Sequence, residues 1–239
     1  MKLRIVHAFI GFVFACLLTA SAYAGDSGGA FVTGWNLSGN STANPYDVST
    51  LFGTSAAPVS GVTGNVVAVW KWDAAGRTWQ MYTPALSSSA LAAFAAKHRL
   101  AVLTTINGGE GYWVNASSPF SLPPAAATDG TYTLTGADLA RGWNMVITGE
   151  NVAPKDLNTA LQGTFANLPP APGGSAGTAQ QGFVSLWAWD NNSKNWYFYA
   201  PSLDRNGMLA RFVSRSGLLD FTAAGKVLGP GVGFWLNMP

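Results

Sequence analysis

The chain has 239 residues, of which 48% are apolar and only 10% charged, with ten tryptophans and a single cysteine. That composition supports a well-filled core, and the length suffices for one large or two small domains. Thirteen basic residues stand against eleven acidic ones, with no Lys/Arg cluster to follow a phosphate backbone, which argues against a nucleic-acid partner.

In chain order, residues 1–24 read as a secretory signal. Lys2 and Arg4 form a basic start, Ile5 to Ala20 is nearly all apolar, and Ala22-Tyr23-Ala24 fits a small-x-small cleavage site. The apolar run is shorter than the roughly 20 residues of a membrane helix, and no second such run follows. Cleavage after Ala24 is expected, leaving eleven basic and eleven acidic residues and no integral membrane segment. The alternative, a lipoprotein anchored at Cys16, is disfavoured by bulky Phe14 and by the place of Cys16 inside the apolar run. Cleavage removes the only cysteine, so an exported chain must rely on its core. The expected location is periplasmic, cell-surface or extracellular.

The remaining chain carries one pattern twice. Gly34-Trp35-Asn36-Leu37 recurs as Gly142-Trp143-Asn144-Met145, and Trp70-Lys71-Trp72-Asp73 as Trp187-Ala188-Trp189-Asp190. Trp79, Tyr82 and Pro84 recur as Trp196, Tyr199 and Pro201, and Gly111-Tyr112-Trp113-Val114-Asn115 as Gly233-Phe234-Trp235-Leu236-Asn237. All ten tryptophans fall into pairs. Period-2 alternation over Val66 to Trp72 predicts a strand with Ala68, Trp70 and Trp72 on one face and Val67, Val69 and Lys71 on the other. A turn opened by Asp73 and a return strand over Trp79 to Tyr82 complete a hairpin, repeated around Asp190. Helices are expected over Pro45 to Phe52 and Pro154 to Leu161, each with Pro at its start, and over Ala90 to His98 and Met208 to Ser216. In the latter two, Leu91 with Phe94 and Leu209 with Phe212 share a face. Ser117 to Thr128 reads as a linker, and Pro170 to Gln180 as a surface loop. The expected class is mainly β with short helices, a β-rich α+β fold in two pseudo-repeats: 25–120, a linker at 121–130, and 131–239.

On these motifs the chain resembles a repeat of secreted bacterial and archaeal proteins, with a Gly-Trp-Asn-Leu start, a Trp-x-Trp-Asp hairpin and a Gly-Glu-Gly-Tyr/Phe-Trp-Val-Asn end. The first copy matches throughout. The second departs at its end, where Val232 stands in the place of Glu110. The resemblance implies export and an accessory role, and it implies no reaction.

Candidate chemistry is sparse. Gly25-Asp26-Ser27-Gly28-Gly29 copies the string around a serine-protease nucleophile, but nothing precedes it after cleavage to serve as base and orienter, and the only remaining histidine is His98. One histidine and no cysteine argue against zinc. Asp190-Asn191-Asn192-Ser193 is oxygen-rich, as an ordinary turn is, and offers too few ligands for calcium. No cofactor and no metal are expected. Glu110, between glycines, is the most distinctive acid, and the second copy lacks it. Most of the repeated tryptophans (Trp35, Trp70, Trp72, Trp113, Trp143, Trp187, Trp189 and Trp235) are expected in the core. Trp79 and Trp196, with Tyr82 and Tyr199 extending their face, are the candidate ligand contacts. The expected function is that of an exported non-catalytic accessory protein, interacting with a protein or polysaccharide at the cell envelope. A carbohydrate-binding module is the first alternative and an unrecognised hydrolase the second.

Overall fold

The structure, a computed structural model, describes residues 29–165 and 181–239. The signal segment, most of the Gly25 to Gly29 string and the Pro170 to Gln180 loop lie outside the described residues. Within them the protein is mainly β, with four short helices and two five-stranded sheets.

The first lobe contains β1 (Ala30–Phe31), β2 (Gly34–Gly39), β3 (Tyr46–Asp47), α1 (Val48–Phe52), β4 (Val66–Asp73), β5 (Thr78–Tyr82), α2 (Ser88–His98), β6 (Ala101–Val102), β7 (Thr105–Ile106), β8 (Gly111–Ala116) and β9 (Phe120–Ser121). The second contains β10 (Gly142–Val146), α3 (Pro154–Ala160), β11 (Ser185–Asp190), β12 (Asn195–Tyr199), α4 (Met208–Arg215), β13 (Leu219–Asp220) and β14 (Phe234–Met238). The sheet orders are β2-β8-β4-β5-β6 and β10-β14-β11-β12-β13. In both, every pairing is antiparallel except the last.

Local chemistry explains the starts and turns. Gly34 and Gly142 both have φ +88°, a region that L side chains rarely adopt. The Asn two residues on then closes the entry loop. Asn36 bonds the Val32 amide and carbonyl, and Asn144 does the same with Ala140. In the hairpin turns, Asp73 Oδ1 accepts from the Ala75 and Gly76 amides, and Asp190 Oδ1 from those of Asn192 and Ser193.

Several boundaries differ from expectation. Helix α1 begins at Val48 because Tyr46–Asp47 pairs with β7 as a short strand, and Asp47 caps the helix through the Thr50 amide. In α2, Leu91 and Ala95 are buried while Phe94 turns outward onto His98, 4.4 Å between rings. A register shift between Val66 and Ala68 leaves Val67 exposed, although Val69 and Lys71 are buried as a pair. The expected linker is partly core: β9 pairs with β1, Phe120 stacks on Phe31 at 4.7 Å, and Leu122 is buried in the first lobe.

Each lobe has its own core. That of the first runs from Phe31 to Leu122 and that of the second from Leu134 to Met238. A small cluster of Phe198, Ala200 and Val213 packs beneath α4.

A tryptophan-lined seam as candidate functional site

The two faces of each sheet have different partners. On β8, Tyr112, Val114 and Ala116 point into the lobe's core, so Trp113 points the other way. The same alternation puts Trp70, Trp72 and Trp79 on that face in the first lobe and Trp187, Trp189, Trp196 and Trp235 in the second, although Trp70 also packs against the first core and Trp187 against the Phe198 cluster. Pairing register then sets indoles side by side: Trp72 faces Trp79 and Trp70 faces Trp113, while Trp189 faces Trp196 and Trp187 faces Trp235.

None of the ten tryptophans is buried, and Trp35 and Trp143 are each 44% exposed. This corrects the expectation that Trp35, Trp70, Trp72, Trp113, Trp143, Trp187, Trp189 and Trp235 are mostly core. The aromatic faces of the two lobes meet instead, forming a seam.

Ring contacts within and across the seam come in matched pairs. Trp35–Trp113 (6.2 Å, 89°) corresponds to Trp143–Trp235 (6.2 Å, 86°). Trp70–Trp79 (6.3 Å, 81°) corresponds to Trp187–Trp196 (6.3 Å, 87°). Between lobes, Trp113–Trp196 (5.8 Å, 81°) corresponds to Trp79–Trp235 (5.9 Å, 74°). These are edge-to-face arrangements, each worth about 0.5–1.5 kcal/mol beyond area burial.

Hydrogen bonds and close backbone approaches hold the lobes together. Trp72 Nε1 donates to the Trp143 carbonyl at 2.9 Å, and Trp189 Nε1 to that of Trp35 at 3.3 Å. Asn191 brackets Leu37, accepting from its amide and donating to its carbonyl. The open edge of β2 is thereby covered. Gly111 lies against Met145–Val146, where a Cβ would stand 2.9 Å from the Val146 amide nitrogen. Gly233 lies against Leu37–Ser38, where a Cβ would stand 2.4 Å from the Ser38 carbonyl oxygen. The repeated Gly before the aromatic-Trp pair is thus a requirement of contact between lobes.

Two cavities open along the seam. One, of about 470 Å³, is lined by Trp35, Trp70, Trp79 and Trp113 of the first lobe and Trp189 and Trp196 of the second. The other, of about 400 Å³, is lined by Trp143, Trp187, Trp196 and Trp235 of the second lobe and Trp72 and Trp79 of the first. Under the sequence pairing the two linings are the same set with the lobes exchanged. Trp79 and Trp196 belong to both.

Tyr82 and Tyr199 do not extend this face. Both are buried on the core side, Tyr82 donating to the Gly53 carbonyl and Tyr199 to Asp204 Oδ2 at 2.8 Å. Burial pushes both phenols above their ordinary pKa, and Asp204 adds to the rise at Tyr199.

Glu110 is occupied structurally. Its Oε2 accepts from Lys71 Nζ and from the Asn107 amide, both at 2.6 Å, and Lys71 also donates to the Thr105 carbonyl. The corresponding positions of the second lobe hold Ala188 and Val232, so the pair is absent as a unit. His98 is exposed on α2, stacked on Phe94. Among the described residues no group of three or more His, Cys, Asp or Glu could hold a metal ion, and no helix is long and apolar enough to cross a membrane. Sequence reasoning missed the two-lobed composition of the cavities. The available signal was that β8, β11 and β14, which carry Trp113, Trp187, Trp189 and Trp235, also have apolar opposite faces.

Comparison with protein-family models, with curated proteins and with solved structures finds no match to this chain.

Proposed function

We propose that the protein is an exported, non-catalytic binding module: a tandem duplication of one unit that holds its ligand at the tryptophan seam between two lobes and acts at the cell envelope. The observation that carries this reading is the use of tryptophan. A chain that needed indoles only for packing would bury them in its two cores, yet all ten stand on the seam around two cavities. The matched ring geometries and common strand order support the duplication. The basic, apolar, small-residue start of the chain supports export.

A sugar-stacking platform is the weaker reading. It asks for coplanar rings facing solvent, whereas neighbouring indoles here cross at 52–89°. The hydrolase reading draws no support from the cavities, whose linings contain no acid, base or nucleophile.

The test is binding of an environment-sensitive apolar dye to the chain from Gly25 onward. We expect saturable binding that quenches tryptophan emission and weakens at least about tenfold in Trp79→Ala/Trp196→Ala, because both cavities lose a wall. Unchanged dye binding in that variant, with cooperative unfolding retained, would remove the seam as the site.

A further inference from the structure

We infer that the two cavities are open aromatic clefts for a small quaternary ammonium cation, a free trimethylammonium solute of the choline type. This deepens the proposed function and rests on it. Two observations select that chemistry.

The first is wall geometry. Trp113 meets Trp35 at 89° and Trp196 at 81°, and Trp235 meets Trp143 at 86° and Trp79 at 74°. A guest between walls set nearly at right angles can contact several ring faces at once. The indole face is the strongest cation-attracting surface among the aromatic side chains.

The second is the shortage of hydrogen-bonding groups. The linings are tryptophan alone. Three of their indole N–H groups are already engaged: Trp72 with the Trp143 carbonyl, Trp189 with the Trp35 carbonyl and Trp187 with Ser185 Oγ. A primary ammonium or guanidinium would arrive with three to five N–H donors that find no acceptor on the tryptophan lining and must stay turned to water, away from the ring faces. A sugar would do the same with its hydroxyls, and an anion would be repelled by the ring faces. A trimethylammonium group carries its charge with no N–H to satisfy.

The experiment is displacement of the apolar dye by choline and by its neutral carbon isostere, 3,3-dimethylbutan-1-ol. Cation–π attraction in an open aromatic cleft should make choline about two- to fivefold the better competitor. Trp79→Leu/Trp196→Leu removes the ring faces shared by both clefts, so at dye concentrations raised to restore occupancy the preference for choline over the isostere should disappear. Equal competition by the isostere overturns the cation assignment. So does failure of choline to displace a dye that the Trp79→Ala/Trp196→Ala variant shows to be at the seam, and in that case the binding-module reading stands. Absence of dye binding to the unmodified chain overturns both. Sedimentation with phosphatidylcholine vesicles without any response to free choline would assign the group to a lipid headgroup and overturn the free-solute assignment.

Discussion

Tyr112 and Phe234 occupy corresponding places in β8 and β14, and both are fully buried. They differ by one hydroxyl. That of Tyr112 has no hydrogen-bond partner, and burial raises its pKa. An orphaned buried polar group costs on the order of 1–3 kcal/mol. Tyr112→Phe should therefore stabilise the protein by about 1 kcal/mol, read as a rise in the urea midpoint at constant slope. A lower midpoint would mean that the hydroxyl contributes a bond. The Lys71–Glu110 pair makes the complementary case. Lys71 is almost fully buried and Glu110 about one-third exposed. Lys71→Ala leaves the carboxylate facing a core with only the Asn107 amide to hold it, and should cost about 2 kcal/mol, less than a fully buried pair because Glu110 reaches water. The double variant Lys71→Ala/Glu110→Val reproduces the Ala188/Val232 pairing of the other lobe and should recover most of that loss. A double variant no better than the single would show that the two lobes differ here by more than this exchange.

At the scale of elements, three hydrogen-bonded aspartates, Asp190 in a hairpin turn, Asp47 at a helix cap and Asp138 beside Thr135, carry the protein's acid sensitivity. Burial works to raise the pKa of Asp190, but the Ser193 and Asn192 amides together outweigh it and hold the carboxyl below its ordinary 3.8. Asp47, bonded by Ser49 and Thr50, is also lowered, as is Asp138, where bonds from Thr135 overcome burial. A carboxyl lowered in the folded state favours folding above its unfolded pKa, and that contribution disappears as the pH falls through the folded value. The melting temperature should be flat from pH 7 to about 5 and fall below about 4. Asp190→Asn keeps an acceptor for the turn without the charge, so it should melt within a few degrees of the unmodified chain at pH 7 and show a shallower decline in acid. The elements themselves were largely legible: hairpin turns from Asp and the flanking alternation, helices from Pro154 and Ser87. The face that each strand gives to the core was not. A strand buried on one side against its own lobe and half-covered on the other by a second lobe is apolar both ways. Trp70 and Trp72 then look more core-like than Val69 and Lys71, and Lys71 in particular conceals its position because its charge is satisfied by a residue 39 positions later. The mistaken linker has a similar cause. Its prolines mark a break, while the apolar alternation of Phe120 and Leu122 marks a strand edge packed on Phe31.

For the whole molecule, the question is whether the lobes behave as one body. Each has a core of its own, while Leu37, Met145 and Ile147 lie outside both and are buried against the opposite lobe. The lobes are joined by the indole contacts, the Trp72, Trp189, Asn191 and Lys194 bonds, backbone bonds such as that from the Ile147 amide to the Gly109 carbonyl, and the close approach at Gly111 and Gly233. Neither glycine has a positive φ, so alanine is acceptable to the backbone of each lobe taken alone. The obstruction lies wholly across the seam: a Cβ at Gly111 meets the backbone of Met145–Val146, and one at Gly233 meets that of Ser38. Backbone cannot yield as a side-chain tip can, so the lobes must shift apart, at a cost of about 1–3 kcal/mol per site. Gly111→Ala/Gly233→Ala should thus leave both folds intact while weakening their association. Calorimetry should resolve one unfolding transition in the unmodified chain into two in the variant. Tryptophan emission should shift to the red as the indoles gain water, and dye binding should fall without loss of β-sheet circular dichroism. A single, merely lowered transition with unshifted emission would mean that the glycines serve the individual sheets, and that the seam is held by something other than this approach of backbone to backbone.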